Sequence, residues 1–377
     1  MRVYLDNAAT TPLDEEVLDA MVPILKDGFG NPSSTHSYGR KIKSLIERAR
    51  KNVAKHINCT PGEIFFTSGG TEADNMAIRC AVKDLGVKHI VTSPIEHHAV
   101  GHTIDRLKAK CLVDVTYVHL DENGHVDLQH LDQILSTSAK TLVSLMHANN
   151  EVANLLPLHR VSEICHKHGA VFHSDTVQTM AHYRFDMEEL EQVHFLACSA
   201  HKFHGPKGVG FLYVNKSVQI NPLIHGGSQE RNMRGGTENV YGIVGLSKAM
   251  DVAYKDLNIH QAYVMDLKSY MIEQLNNSIV GVKYNADSSS MDNSLYTVLS
   301  VSLPPTDIAP MMLFNMDIMG VACSGGSACT SGSNIGSHVL EGIDAPNDRP
   351  TIRFSFSRFN TKEEIDYAVN CLVKLYS

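Results

Sequence analysis

The first two-thirds of the chain alternates short apolar runs with amphipathic helical patterns, and this rhythm leaves few folds open. Ile64-Phe65-Phe66-Thr67 is closed by Ser68-Gly69-Gly70 and followed by a helical stretch from Thr71. Further buried-type runs fall at residues 89–92, 112–118, 141–146, 170–173, 195–198 and 209–214, most of them separated by helical patterns such as 161–168. Residues 38–58 place Ile42, Leu45, Ile46, Ala49, Val53 and Ile57 at helical spacing. Apolar strands that alternate with helices predict βα units and a mostly parallel sheet, hence an α/β fold.

From about residue 256 the texture changes. A helix at 262–275, a strand at 298–302, a helix at 307–315, a strand at 352–355 and a closing helix at 363–375 predict a smaller α+β domain. The expected division is a large domain over 13–255 and a small one over 256–377, with an N-terminal arm, 1–12, packing on the small one. Between the last helix–strand pair lies residues 323–337, nine of fifteen Gly or Ser, which predicts a mobile loop.

With 377 residues the chain can bury a large core. A net charge of −8 argues against nucleic-acid and anionic-membrane partners, which select basic surfaces. No window approaches the run of about 20 apolar residues that spans a bilayer. The N-terminus enters Val3-Tyr4-Leu5-Asp6 without a charged-then-apolar leader, so the cytoplasm is the expected compartment. The eight cysteines include no C-x-x-C pair, and seven of them read as inert thiols. His98 and His102 have the i,i+4 spacing of zinc ligands, but no metalloprotease glutamate lies between them and no third ligand follows, so no metal is expected.

Three segments carry chemistry. Residues 199–208, Ser-Ala-His-Lys-Phe-His-Gly-Pro-Lys-Gly, set Lys202 after an apolar strand among hydroxyl and imidazole donors. A phosphorylated aldehyde cofactor needs a Schiff-base lysine and nearby phosphate donors; a solvated loop lysine is the plainer reading. Asp175 ends the strand of Phe172-His173-Ser174-Asp175, with Gln178 three residues on. A buried aspartate there would keep a pyridine nitrogen protonated, and a helix N-cap is the alternative. Thr67-Ser68-Gly69-Gly70-Thr71-Glu72 joins a strand to a helix, so backbone N–H groups and the helix dipole would face an anion. It is neither a Walker motif nor a dinucleotide fingerprint, and an ordinary helix start reads the same way.

Together with residues 4–12, 30–34, 67–75, 96–100, 146–151, 225–227, 234–237, 327–331 and 352–355, these segments resemble the NifS-like cysteine desulfurases. These are class-V aminotransferases of fold type I that depend on pyridoxal 5'-phosphate, and the likeness covers nearly the whole chain in order. The resemblance implies that Lys202 carries the cofactor, Asp175 pairs with its ring nitrogen and Gln178 with its phenolic oxygen. His97 would stack on the ring and move protons. Gly70, Thr71, Ser199 and His201 would hold the phosphate, joined by Thr237 of a second subunit, which implies a homodimer. Asn150 and Arg353 would bind the carboxylate of L-cysteine, Arg353 as a bidentate fork. Taken alone, His97 reads as a helix-start residue, Arg353 as a member of a surface ion pair, and Asn150 as a turn residue.

Cys329 selects the reaction. It lies in the Gly/Ser segment rather than on an apolar element, where a thiolate could take the substrate sulfur and carry it outward as a persulfide. The family pattern implied is Ser-Ser-Gly-Ser-Ala-Cys; this chain has Cys323-Ser324-Gly325-Gly326-Ser327-Ala328-Cys329, one residue longer. Cys323 is either a packed strand-end thiol or a second thiol in sulfur transfer. The chain stops soon after its last helix, without the tail some relatives use to dock a scaffold, so the sulfur-acceptor protein stays open. Selenocysteine lyase, another class-V aminotransferase chemistry, and an idle relay subunit are the competing readings.

Overall fold

The computed structural model describes residues 1–325 and 336–376. Seven strands form the main sheet: β2 (Ile64–Thr67), β3 (His89–Thr92), β4 (Asp114–Tyr117), β5 (Thr141–Ser144), β6 (Val171–Asp175), β7 (Phe195–Ser199) and β8 (Gly210–Val214). Their spatial order is β2-β8-β7-β6-β5-β3-β4. Every pair is parallel except those made by β8, which runs against both β2 and β7. The mostly parallel α/β sheet expected from the rhythm of the sequence is present.

The apolar runs are continuous because both faces of the sheet are covered. Val91, Val143, Phe172, Leu196 and Phe211 pack in one layer with Ile42, Ile46 and Val53 of α2 (Ser37–His56) and with the helix Val240–Lys255. The alternate residues Ile90, Leu142, Val171, Phe195 and Leu212 pack in the other layer, with α3 (Gly70–Asp84) and α4 (His98–Ala109). Helix α1 (Glu15–Asp27), capped by Asp14, lies on the Val240–Lys255 helix.

The C-terminal part has its own apolar core around a three-stranded antiparallel sheet, ordered β12-β10-β9: β9 (Lys283–Tyr284), β10 (Val298–Ser302) and β12 (Thr351–Ser355). The helices Leu257–Ser278 and Lys362–Tyr376 cover it. The chain's first strand, β1 (Val3–Tyr4), pairs with β11 (Val321–Ala322), and Val3 and Leu5 are buried in this second core. Two-residue strands are too short to show a period, so β1, β9 and β11 left no pattern in the sequence. The helix expected at 307–315 begins instead with a 3₁₀ turn, Ala309–Met311, and continues as Met312–Ile318. Pro310 cannot donate a backbone N–H and marks a helix start rather than an interior.

Lys268 is buried in the helix Leu257–Ser278, and its Nζ donates to Ser294 Oγ (2.6 Å) and the Leu295 carbonyl (3.1 Å). With no carboxylate beside it, burial lowers its ammonium to about 7 from an ordinary 10.5. Between those values the unfolded chain holds a proton the folded one has released, so this group's contribution to stability grows as pH rises and is lost as pH falls toward 7. Relative to Lys268→Met, the wild-type protein should gain about 2 kcal/mol between pH 7 and 9 in urea unfolding. A pH-independent difference between the two proteins would contradict the shift.

Candidate active site

The carboxyl ends of β2, β3, β5, β6 and β7 point to one side of the sheet, where open α/β folds place their ligands. Each end supplies a side chain or a turn. Beyond β2, Gly69 and Gly70 start α3; beyond β3, His97 caps α4; beyond β5 comes Asn150; β6 ends on Asp175, with Gln178 in the next turn. Strand β7 ends on Ser199, and a 3₁₀ turn, Ala200–Lys202, delivers His201 and Lys202. Arg353 enters from β12 of the C-terminal sheet. All of these line a single cavity of 570 Å³.

The N-terminal arm forms one wall. Lys202 Nζ donates to the carbonyls of Ala8 (2.5 Å) and Ala9 (2.9 Å), and Gln178 Nε2 donates to the same Ala8 carbonyl (3.0 Å). His201 Nδ1 lies 3.1 Å from Thr10 Oγ1, and the His201 carbonyl accepts from the Thr11 amide. Residues 8–11 therefore fix the strand-end lysine and its neighbours through main-chain groups, which no residue-type motif reveals.

Asp175 accepts a hydrogen bond from the Val177 amide at 2.8 Å. It caps a turn rather than a helix, while its carboxylate faces the cavity. Two more buried carboxyls lie close by. Burial raises Asp74 well above its ordinary value, helped by the charges of Asp175 and Glu96. Burial also lifts Glu96 to about 8 against the pull of Ser93 Oγ and the Met146 amide, and lifts Asp175 to about 6. Like charges in a dry site repel one another, and the Val177 amide and the charge of Lys202 favour the charged form of Asp175. Behind it, His173 Nε2 lies 3.3 Å from Asp74 Oδ1, and His173 Nδ1 lies 2.9 Å from Ser144 Oγ. Burial holds His173 down at about 3, so this pair is neutral as well.

His97 is a helix-start residue and also lines the cavity. Its Nδ1 accepts from the Ala99 amide at 3.1 Å, so it caps α4. That bond places the proton of the neutral ring on Nε2. Burial, then the charge of Lys202, depresses it to about 4, and His201 is depressed to a similar value by the same two causes.

Where α3 begins, the cavity is built for an anion. Gly69, with φ +150°, adopts a backbone angle that L side chains rarely take, and a Cβ on Gly70 would collide with Val177. The missing side chains let Ser199 and the 177 turn close on the amino end of α3, where the first helical N–H groups lack intrahelical partners and Thr71 lines the cavity. The donor set suits a molecule with a phosphate at one end and a cationic ring nitrogen at the other.

Several expectations change. Arg353 is no surface residue: it is 1% exposed and ion-paired to Asp6 at 2.7 Å. Asn149, not Asn150, closes the turn, accepting from the amides of Glu151 and Val152, and Asn150 is left on the cavity wall. Thr237 does not reach this cavity within one chain; it lines a separate cleft beside Glu230 and Arg234. That segment is pinned by the buried fork of Arg50 on Glu230 (2.7 and 2.8 Å) and by Arg234 on Glu72. Cys323 packs against the C-terminal core, and burial pushes its thiol up to about 12, as a packed strand-end thiol requires. Cys329 lies outside the described residues. The rings of His98 and His102 stack at 4.7 Å, and among the described residues no group of three metal-ligating side chains converges. Asp6, Asp74, Glu96 and His173 had no role in the sequence reading; the runs 4–12 and 67–75 contained Asp6 and Asp74, but their spacing says nothing of burial.

The aminotransferase class-V family matches residues 3–368. The cysteine desulfurase IscS of Dictyoglomus turgidum is 43% identical over 377 residues, spanning 99% of this chain and 94% of the relative. Among solved structures, a NifS-like protein superposes with a TM-score of 0.91 at 37% identity, over 100% of this chain and 99% of the other. A structure of SspA in complex with cysteine superposes at 0.81 with 31% identity, over 96% of this chain and 100% of the other.

The raised Asp175 carboxyl has a measurable cost in the ligand-free protein. A group whose folded value lies above its unfolded 3.8 stabilises at low pH and loses that contribution as pH rises through about 6. Asp175→Asn should therefore be more stable than wild type at pH 7.5 by about 1–3 kcal/mol, with the gain shrinking toward pH 4.5. Urea unfolding of both ligand-free proteins at the two pH values checks this; a variant less stable at pH 7.5 would contradict it.

Proposed function

The chain belongs to the aminotransferase class-V family, and we propose that within it the protein works as a pyridoxal-phosphate-dependent cysteine desulfurase. It converts L-cysteine to L-alanine and moves the sulfur to Cys329 as a persulfide, for delivery to an acceptor protein. The observation that carries this reading is the meeting of Lys202, Asp175, the Gly69–Gly70 helix start and buried Arg353 in one cavity. The relatives named for cysteine desulfuration, and the solved neighbour that holds cysteine, support the substrate.

Lys202 would hold the cofactor covalently, Asp175 would keep the proton on its ring nitrogen, and Gln178 would hydrogen-bond its phenolic oxygen. Gly70, Thr71, Ser199 and His201 bind the phosphate, with Thr237 of a second copy of the chain, so the working unit is a homodimer. Pyridoxal phosphate, when bound, supplies an aldehyde carbon for the substrate amine and a ring that withdraws electrons from the substrate's Cα and Cβ.

Arg353 and Asn150 orient the cysteine carboxylate. Neutral His97 and the Lys202 amine would move protons at the substrate carbons; a neutral imidazole can accept as well as donate. The Cys329 thiolate attacks the substrate sulfur. The Cβ–S bond breaks, an S–S bond forms, and Cβ gains a proton, so one cysteine and one thiol give alanine and a persulfide without an outside reductant. The persulfide is then passed to a thiol of the acceptor, for uses such as iron–sulfur cluster assembly.

Cys329→Ala should keep the cofactor's absorbance while sulfide release from L-cysteine falls by about 100-fold or more, read by sulfide assay with dithiothreitol. Undiminished sulfide release would remove Cys329 from the reaction. A purified protein that stays colourless after addition of pyridoxal phosphate would remove the whole reading.

A further inference from the structure

Arg353 meets the cavity as a buried guanidinium already gripped on two sides. Nη2 donates to Asp6 Oδ1 at 2.7 Å and Nη1 to the Asn150 carbonyl at 2.9 Å, while Nε has no partner among the described residues. The same Asp6 oxygen accepts from Ser324 Oγ at 2.7 Å. Ser324 and Arg353 also exchange backbone hydrogen bonds of 2.6 and 3.2 Å, and Asp6 bridges Ser355 along the same edge of β12. One carboxylate thus ties the N-terminal arm, β12 and residue 324 together.

Two physical facts give this arrangement a purpose beyond packing. A guanidinium this deeply buried needs a counter-charge when no substrate is present, and a long flexible side chain needs a second anchor if its plane is to be fixed. Asp6 meets both needs with a single oxygen. It contacts Nη2 alone, and the buried Nε keeps its N–H without a partner among the described residues. Asn150, whose main chain holds Nη1, presents its side chain to the same cavity.

We propose that Asp6 is the positioning residue for substrate-carboxylate recognition: it fixes the Arg353 guanidinium, with Ser324 as its brace, so that α-amino acids are preferred over simple amines. The inference rests on Arg353 being the carboxylate receptor of the proposed desulfurase. A residue that only supported the fold would affect every amine alike; a residue that sets Arg353 affects those carrying a carboxylate.

The test uses the cofactor-loaded protein and measures, from the change in cofactor absorbance, its affinity for L-alanine and for ethylamine, which lacks the carboxylate. Asp6→Asn should weaken L-alanine by about tenfold and leave ethylamine within about twofold, with KM for L-cysteine rising more than kcat falls. Ser324→Ala should act in the same direction and more weakly, and it carries the test if Asp6→Asn does not fold. Equal losses for the two amines, no loss for L-alanine, or tighter L-alanine binding would each overturn the proposal. Arg353→Lys separates the two levels: if it leaves L-alanine affinity unchanged, the carboxylate reading of Arg353 fails, and if it weakens L-alanine while Asp6→Asn does not, only the role of Asp6 fails.

Discussion

A carboxylate, Asp175, stands at the end of a strand buried on both faces, with two further carboxyls near it that burial raises. In a dry site that charge calls for a cation, and the layout around it follows from the need. Neighbouring β7 runs parallel and in register, pairing Ala197 with Asp175, so the 3₁₀ turn that follows it brings Lys202 to the same cavity. The amino ends of α3 and α4 face the same space from the other strands, adding positive dipole ends. The sheet's topology therefore places attraction for an anion and for a cation in one cavity.

The N-terminal arm turns this half-site into a closed one. It begins as a strand in the C-terminal core, bridges β12 at Asp6, and then crosses the cavity to hold Lys202 and Gln178 through its carbonyls. Elements 350 residues apart in sequence thus meet across a few residues of arm. Arg353 and Lys202 are both set by this segment, one through a side chain and the other through main-chain oxygens.

Much of this was legible in the sequence. The strands at 64–67, 89–92 and 298–302 fall where the sequence pattern predicts, because short runs rich in Val, Ile, Leu and Phe suit a buried strand. Lys202 and Asp175 could be singled out because a charged residue directly after an apolar run is itself a signal. What stayed hidden was tertiary in origin. Nothing in Asn149-Asn150 says which amide closes the turn and which faces the cavity. Asp74 and His173 look like ordinary polar residues until the layer above them is in place. The two-residue strands that seat the arm exist through their partners alone, and Thr237 belongs to a cleft of its own that only a second copy could join to this cavity.

Lys202 is the point where the arm, the sheet and the proposed chemistry meet, and its covalent state can be read directly. The protein purified with pyridoxal phosphate, treated with borohydride and digested, should carry the pyridoxyl group on the peptide containing Lys202 and on no other lysine. A label on neighbouring Lys207, or a digest with no labelled lysine, would contradict the placement of the cofactor in this cavity.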